Sequence, residues 1–174
     1  DLTNLVQLSL SKNRLRKLST KVEYLVKLVE LDISHNLLTQ LPRQIADLSL
    51  LRIFDASFNR FRKFTGFLYK CSKLENINLE GNRLRRLPIT VGNLELLKVT
   101  KQWEVGFGVL KNLKVLNLSK NLFNAWPEQI DRNSKLQELN LSDNYLRRVP
   151  LQIKKNTSLQ VLNLSNNLLR SLPT

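Results

Sequence analysis

Cysteine, histidine, methionine and glycine are nearly missing from this chain of 174 residues, which holds one Cys, one His, no Met and five Gly. A single cysteine, Cys71, cannot close an internal disulfide, so a cystine-stapled fold is excluded and a reducing compartment is favoured. With one His and one Cys, metal-ligand sets built on those residues are out of reach. No run approaches the roughly 18 to 20 apolar residues of a membrane span, and the start, Asp1-Leu2-Thr3, lacks the basic and apolar regions of a signal peptide. Acid is scarce as well. Against 28 Lys and Arg stand 14 Asp and Glu, a formal charge of +14 that favours anionic partners but speaks of attraction and solubility rather than fold. Apolar residues make up 42%, enough to bury a core over the length of one ordinary domain, so disorder is not expected.

What the chain does have is a period. Asn13, Asn36, Asn59 and Asn82 recur at every twenty-third position, and so do Asn121, Asn144 and Asn167. Around each lies one frame, clearest in Leu28, Leu31, Ile33, Asn36, Leu38, Leu41, Pro42, Ile45 and Leu48. It restarts at Leu5, Leu28, Leu51, Leu74, Leu97, Leu113, Leu136 and Leu159, and Pro42, Pro88, Pro127, Pro150 and Pro173 all fall on its position 15. In Leu-x-x-Leu-x-Leu apolar and polar residues alternate, which is strand periodicity, and a strand recurring at a fixed interval with a connecting segment builds a parallel sheet. One such unit cannot bury its apolar face alone, so stacking supplies the core. The frame Asn stands where the chain turns off the strand, and its amide can bond backbone groups of its own and adjacent turns; Asn13, Asn36, Asn59, Asn82, Asn121, Asn144 and Asn167 are therefore expected to form a structural ladder. Proline fixes φ at the bend to the far side, where there is room for a short helical or 3₁₀ turn rather than a long helix.

These motifs resemble the leucine-rich repeat family along essentially the whole chain. Ile or Val at position 18 (Val22, Val91, Ile45, Ile130, Ile153) and the 23-residue period resemble the cytosolic Ras-group repeats of scaffolds such as Scribble and Erbin. The resemblance implies an α/β fold: a right-handed leucine-rich repeat solenoid with a curved parallel sheet on the concave face and short helical, 3₁₀ or irregular segments on the convex face. Residues 1–174 are read as a single array, with repeats starting at 5, 28, 51, 74, 97, 113, 136 and 159, the last one truncated. Leu2 belongs to an earlier repeat and Thr174 stops one residue after Pro173, so flanking sequence is expected.

Two repeats depart from the frame. The third carries Phe54, Phe61 and Phe64 with the small Ala56, which reads as an exchange of volume within one layer of core, and Cys71 takes the place of Leu25 and Leu48 as a small hydrophobe. The fifth, from Leu97 to Leu113, falls seven short of the period, with Thr100 and Gln102 where Leu or Ile is expected. Residues lost from the sequence, or a deliberate kink or partner-binding break, would each produce that shortfall, and a missing turn is expected to uncouple the rungs on either side.

No catalytic constellation is visible: His35 has no nucleophile or partner in the pattern and reads as a rim residue, and Gly106-Phe107-Gly108 is too short for a phosphate loop. Asn117, Asn140, Asn163 and Asn156 satisfy the glycosylation pattern, the first three merely as part of the strand frame. The chain is therefore read as non-enzymatic, with no cofactor, metal or small-molecule substrate. Frame positions 3, 5, 7 and 8 should face the concave strip, where Glu30, Asp32, Asp55, Phe58, Glu80, Glu138, Asn140 and Asp143 are candidate partner-binding residues, with Lys12, Lys101 and Lys120 among them. Eight strands would make the strip about 35 Å long. Positions 10, 12 and 13 carry Arg14, Arg16, Lys17, Arg60, Arg62, Lys63, Arg83, Arg85, Arg86, Arg147, Arg148 and Arg170 and no acid, a basic ridge along one edge. The family resemblance implies a cytoplasmic protein-protein interaction scaffold in signalling. An anion-binding module, docking phosphoinositide headgroups of an acidic membrane, nucleic acid or an acidic protein on the ridge, and a repeat segment of a larger signalling enzyme are the alternatives.

Overall fold

The computed structural model describes residues 2–64, 66–87 and 110–173. Seven three-residue strands, β1 (Gln7–Ser9), β2 (Glu30–Asp32), β3 (Ile53–Asp55), β4 (Asn76–Asn78), β5 (Val115–Asn117), β6 (Glu138–Asn140) and β7 (Val161–Asn163), form one parallel sheet in chain order. Each strand is frame positions 3 to 5, and register stacks like on like: Leu8, Leu31, Phe54, Ile77, Leu116, Leu139 and Leu162 occupy one row. The result is a solenoid in which each turn is one strand and one short crossing.

Between rungs the chain crosses the far side through 3₁₀ turns at Thr20–Tyr24, Arg43–Asp47, Gly66–Lys70, Glu128–Arg132 and Leu151–Lys155. Pro42, Pro127 and Pro150 stand at the N-caps of three of them, with φ between −68° and −78°, as their rings require. In the first turn Ser19 takes that place and its hydroxyl accepts from the Lys21 N–H at 3.2 Å.

Apolar frame positions 1, 4, 6, 11, 14, 18 and 21 make one continuous core. Each aliphatic side chain so buried contributes about 1.5 to 3 kcal/mol, offset by the ordering of the chain. In the third rung Phe54, Phe61 and Phe64 are buried with ring centroids 6.1 to 6.3 Å apart, beside a fully buried Ala56. Burial needs a neighbour on both sides. Leu139, between Leu116 and Leu162, is fully buried, whereas Leu162 in the last described rung is 40% exposed.

The frame asparagines bind rung to rung. Asn36 Nδ2 donates to Leu10 O in the preceding rung at 2.9 Å and to Ile33 O and Ser34 O in its own turn, while its Oδ1 accepts from Leu15 N–H at 2.9 Å. Asn59, Asn82, Asn121, Asn144 and Asn167 repeat this pattern. Asn13, in the first described rung, bonds among the described residues only within its own turn.

The junction after the fourth rung departs from expectation. β4 pairs directly with β5, Ile77 opposite Leu116, whereas at every other pairing the partners stand one period apart in the chain, as Leu8 and Leu31 do. The described sheet therefore has seven strands rather than eight, and the rungs on either side are coupled rather than uncoupled: Asn121 Nδ2 reaches Leu79 O at 2.9 Å and Leu84 N–H donates to Asn121 Oδ1 at 2.9 Å. Ile77 and Leu116 cover each other at this junction, and both are buried. Residues 97–109 of the irregular repeat, Lys101 among them, lie outside the described residues.

Candidate functional site

The candidate site is the concave sheet face, built by frame positions 3 and 5 on the strands and position 8 just beyond them. Position 5 is Asp or Asn in six rungs because the chain must turn immediately after it. Asp32 Oδ1 accepts from Ser34 N–H at 2.9 Å, Asp55 Oδ1 from Ser57 N–H at 2.8 Å, and Asn78, Asn117, Asn140 and Asn163 do the same for Glu80, Ser119, Ser142 and Ser165. These are Asx turns. They end the strand alternation at position 5, which corrects one expectation: Ser34, Ser57, Ser119 and Ser142 at position 7 are buried instead of facing the strip. Glu80, the one acid at that position, is only partly covered.

The carboxylates of the strip are engaged within the protein. Gln7 Nε2 donates to Glu30 at 2.9 Å, Ser9 Oγ to Asp32 at 3.1 Å, Asn78 Nδ2 to Asp55 at 2.9 Å and Asn166 Nδ2 to Asp143 at 2.9 Å. Glu80 accepts from Asn117 Nδ2 and pairs with Lys120 Nζ at 2.7 Å. Burial alone would raise the Asp32 carboxyl, but the Ser34 N–H and the hydroxyls of Ser34, Ser11 and Ser9 outweigh it and hold it below the usual carboxylate range. The Glu80 carboxylate in turn raises the Lys120 ammonium above its ordinary value. Glu138 differs: it is exposed and makes none of the described side-chain bonds.

Position 8 adopts a left-handed backbone in every described rung: Lys12, His35, Phe58, Gly81, Lys120, Asp143 and Asn166 have φ between 50° and 65°. Their side chains stand in a row. His35 and Phe58 stack with centroids 4.4 Å apart and planes 15° from parallel, and Lys120 Nζ lies 5.7 Å from the Phe58 ring on the other side. Between Phe58 and Lys120 comes Gly81, where an added Cβ would meet Phe58 Cδ1 at 2.6 Å. Glycine is thus needed there for space as well as φ. Phe58 stays 37% exposed, an aromatic surface in a polar strip.

Sequence reasoning grouped Glu30, Asp32, Asp55, Phe58, Glu80, Glu138, Asn140 and Asp143; five of them lie at positions 3 and 5 of the strands, Phe58 and Asp143 at position 8, and Glu80 at the largely covered position 7. It missed that five of the acids already have partners and that His35 and Gly81 frame Phe58. It missed a second ladder too. At position 21 on the convex side Asn133 Nδ2 donates to Leu110 O and Asn156 Nδ2 to Ile130 O, both at 3.0 Å, while Cys71 Sγ donates to Ile45 O at 3.3 Å. The signal was two asparagines at one frame position.

Among the described residues no group of three or more His, Cys, Asp and Glu could hold a metal ion, and no helix is long and apolar enough to cross a membrane. A convex depression of about 360 Å³ lies beside Asp131, whose carboxyl is raised by burial although Trp126 Nε1 donates to it at 3.2 Å.

Leucine-rich repeat family models match residues 3–61 in one form and residues 135–156 and 158–174 in another. No curated protein matches the chain. Among solved structures, a leucine-rich repeat protein of Leptospira interrogans is 30% identical with a TM-score of 0.71, over 98% of this chain and 45% of its own. An internalin of Listeria monocytogenes is 21% identical with a TM-score of 0.72, over 97% of this chain and 43% of its own. The chain thus spans less than half the length of either.

Proposed function

Because the chain belongs to the leucine-rich repeat family, we propose that it is a non-catalytic interaction module that holds a protein partner across its concave sheet face. Members of the family generally bind proteins, and the 23-residue frame with Ile or Val at position 18 favours the Ras-group scaffolds of the cytoplasm within it. The observation that carries the reading is the exposed Phe58 ring, held by His35 on one side and by the missing side chain of Gly81 on the other. Interfaces concentrate binding energy in such rigid aromatic anchors. The surrounding acids set orientation. Since most are already bonded, a partner gains from Glu30, Asp32, Asp55 and Glu80 only by adding donors to carboxylates that keep their internal bonds, and a basic or amphipathic docking surface does this best.

The test is a partner recovered with the parent chain and then titrated against variants. Phe58→Ala and Glu138→Lys change the strip without touching an Asx turn, and Arg83→Glu with Arg85→Glu changes the ridge. Phe58→Ala should weaken binding by roughly thirtyfold or more, mainly through faster dissociation. The ridge pair should chiefly slow a salt-sensitive association. Unchanged binding by both strip variants, with binding abolished by the ridge pair, would overturn the concave reading.

A further inference from the structure

The register of the sheet turns the basic ridge from a sequence pattern into a set of positions. Equivalent frame positions stack across in-register strands, so positions 10, 12 and 13 of all rungs lie on one edge, just past the strand ends. Every cation on that edge is exposed, and none takes part in the described salt bridges, which use Arg52, Lys114 and Lys120. The ridge is not uniform. Arg60, Arg62 and Lys63 stand on one rung and Arg83, Arg85 and Arg86 on the next, about 4.8 Å away. This six-cation patch is bounded by neutral side chains, Thr39 and Gln40 before it, Asn124 and Ala125 after it, because β5 follows β4 directly. Backbone bonds from Arg60 N–H to Leu38 O and from Arg83 N–H to Phe61 O, both 2.8 Å, fix the two turns that carry it.

Composition separates this edge from an ordinary solvated face. Of its twelve cations ten are Arg and two Lys, whereas the other sixteen cations of the chain are three Arg and thirteen Lys. Exposure and charge alone are served as well by either residue. What arginine adds is a planar fork that grips two oxygens of one phosphate, which an ammonium cannot do. Six like charges on two rungs, with no acid among them, also repel one another until an anion is present. No aromatic side chain stands within the patch to stack a base, so the pattern fits phosphate groups without nucleobases. The remaining cations recur along the same edge toward both ends of the seven-stranded sheet, which suits an extended anionic plane better than a single small anion.

We propose that Arg60, Arg62, Lys63, Arg83, Arg85 and Arg86 form a binding site for phosphate monoesters of lipid headgroups, docking this edge of the solenoid on an anionic membrane. The site is separate from the concave strip, and its failure would leave the partner-binding reading untouched.

The experiment is co-sedimentation with phosphatidylcholine vesicles carrying either phosphatidylinositol bisphosphate or phosphatidylserine at equal total charge. A charge-conserving variant, Arg60→Lys, Arg62→Lys, Arg83→Lys, Arg85→Lys and Arg86→Lys together, is compared with Arg85→Glu plus Arg86→Glu, after urea melts show both folded as the parent. The parent should prefer the bisphosphate vesicles. The lysine set should lose about tenfold on those vesicles and nothing on phosphatidylserine, and the glutamate pair should lose about thirtyfold or more on both. Equal binding of parent and lysine set to both vesicles would show charge alone at work and overturn the site. Binding of an RNA hairpin or of soluble inositol trisphosphate with the same variant pattern, but of neither vesicle, would overturn the membrane assignment.

Discussion

Replacing Asn121 by Ala tests the junction at which the solenoid departs from its period. In the structure Asn121 Nδ2 donates to Leu79 O, Leu118 O and Ser119 O at 2.9 to 3.2 Å, and its Oδ1 accepts from Leu84 N–H at 2.9 Å. Three of those groups keep a partner in the variant: Leu79 O has Asn82 Nδ2, Leu118 O has Asn144 Nδ2, and Ser119 O has Gly81 N–H. Leu84 N–H has none of these. A buried donor left unpaired costs about 1 to 3 kcal/mol, and the three lost bonds bring the expected total to about 2 to 4 kcal/mol. Asn13→Ala is the control, because Asn13 is exposed and donates only to Leu10 O and Ser11 O in its own turn; it should cost no more than about 1 kcal/mol. Urea denaturation measures both, and hydrogen exchange at the Leu84 amide locates the effect. Were a further rung inserted between β4 and β5, Asn121 would bond to that rung instead. Leu84 would then keep its protection in Asn121→Ala. That result, or a cost within about 0.5 kcal/mol of the control, would refute the direct pairing.

Two further predictions concern single side chains. Asp32 is held below its usual range when folded, so its contribution is present above the unfolded value of about 3.9 and is lost as pH falls through the folded one. Asp32→Asn, which supplies the residue found at Asn78, Asn117 and Asn140, should keep the turn and flatten the acid limb of the stability curve; an unchanged limb would show that Asp32 does not set it. Cys71 is fully buried, bonded to Ile45 O, and pushed up to about 12 chiefly by burial and secondarily by Asp47. Its thiol should react with a disulfide reagent only at the rate of unfolding, and rapid labelling of the native chain would contradict the packing of the third rung.

The rungs, their core positions and the asparagine ladder were legible in the residues because each is enforced locally and then repeated. A period of 23 with Leu at positions 1, 4 and 6 permits one strand per repeat, and a polar Asn at the turn has few bonds available other than the backbone of its neighbours. Alternation holds only for positions 3 to 5, so among the acids of the strip it accounts for Glu30, Asp32, Asp55 and Glu138 but not for Glu80 and Asp143, which stand beyond the strand ends. Their engagement was not legible, since Asp55 meets Asn78, and Glu80 meets Asn117 and Lys120, only when distant residues are brought into register.

By itself, then, the sequence determined the repeating unit: a three-residue strand, an Asx turn, a buried amide, and a short crossing introduced by proline. Which units stack, and what their side chains meet, was decided only by tertiary structure. Periodicity divides the stretch between partners on β4 and β5 into a full repeat and a short one, whereas the sheet pairs Ile77 directly with Leu116, and each buries the other's apolar face. The same holds at Phe58, whose exposure on the concave face depends on the ring of His35 and the empty Cβ position of Gly81, each a full repeat away in the chain and in contact only across strands.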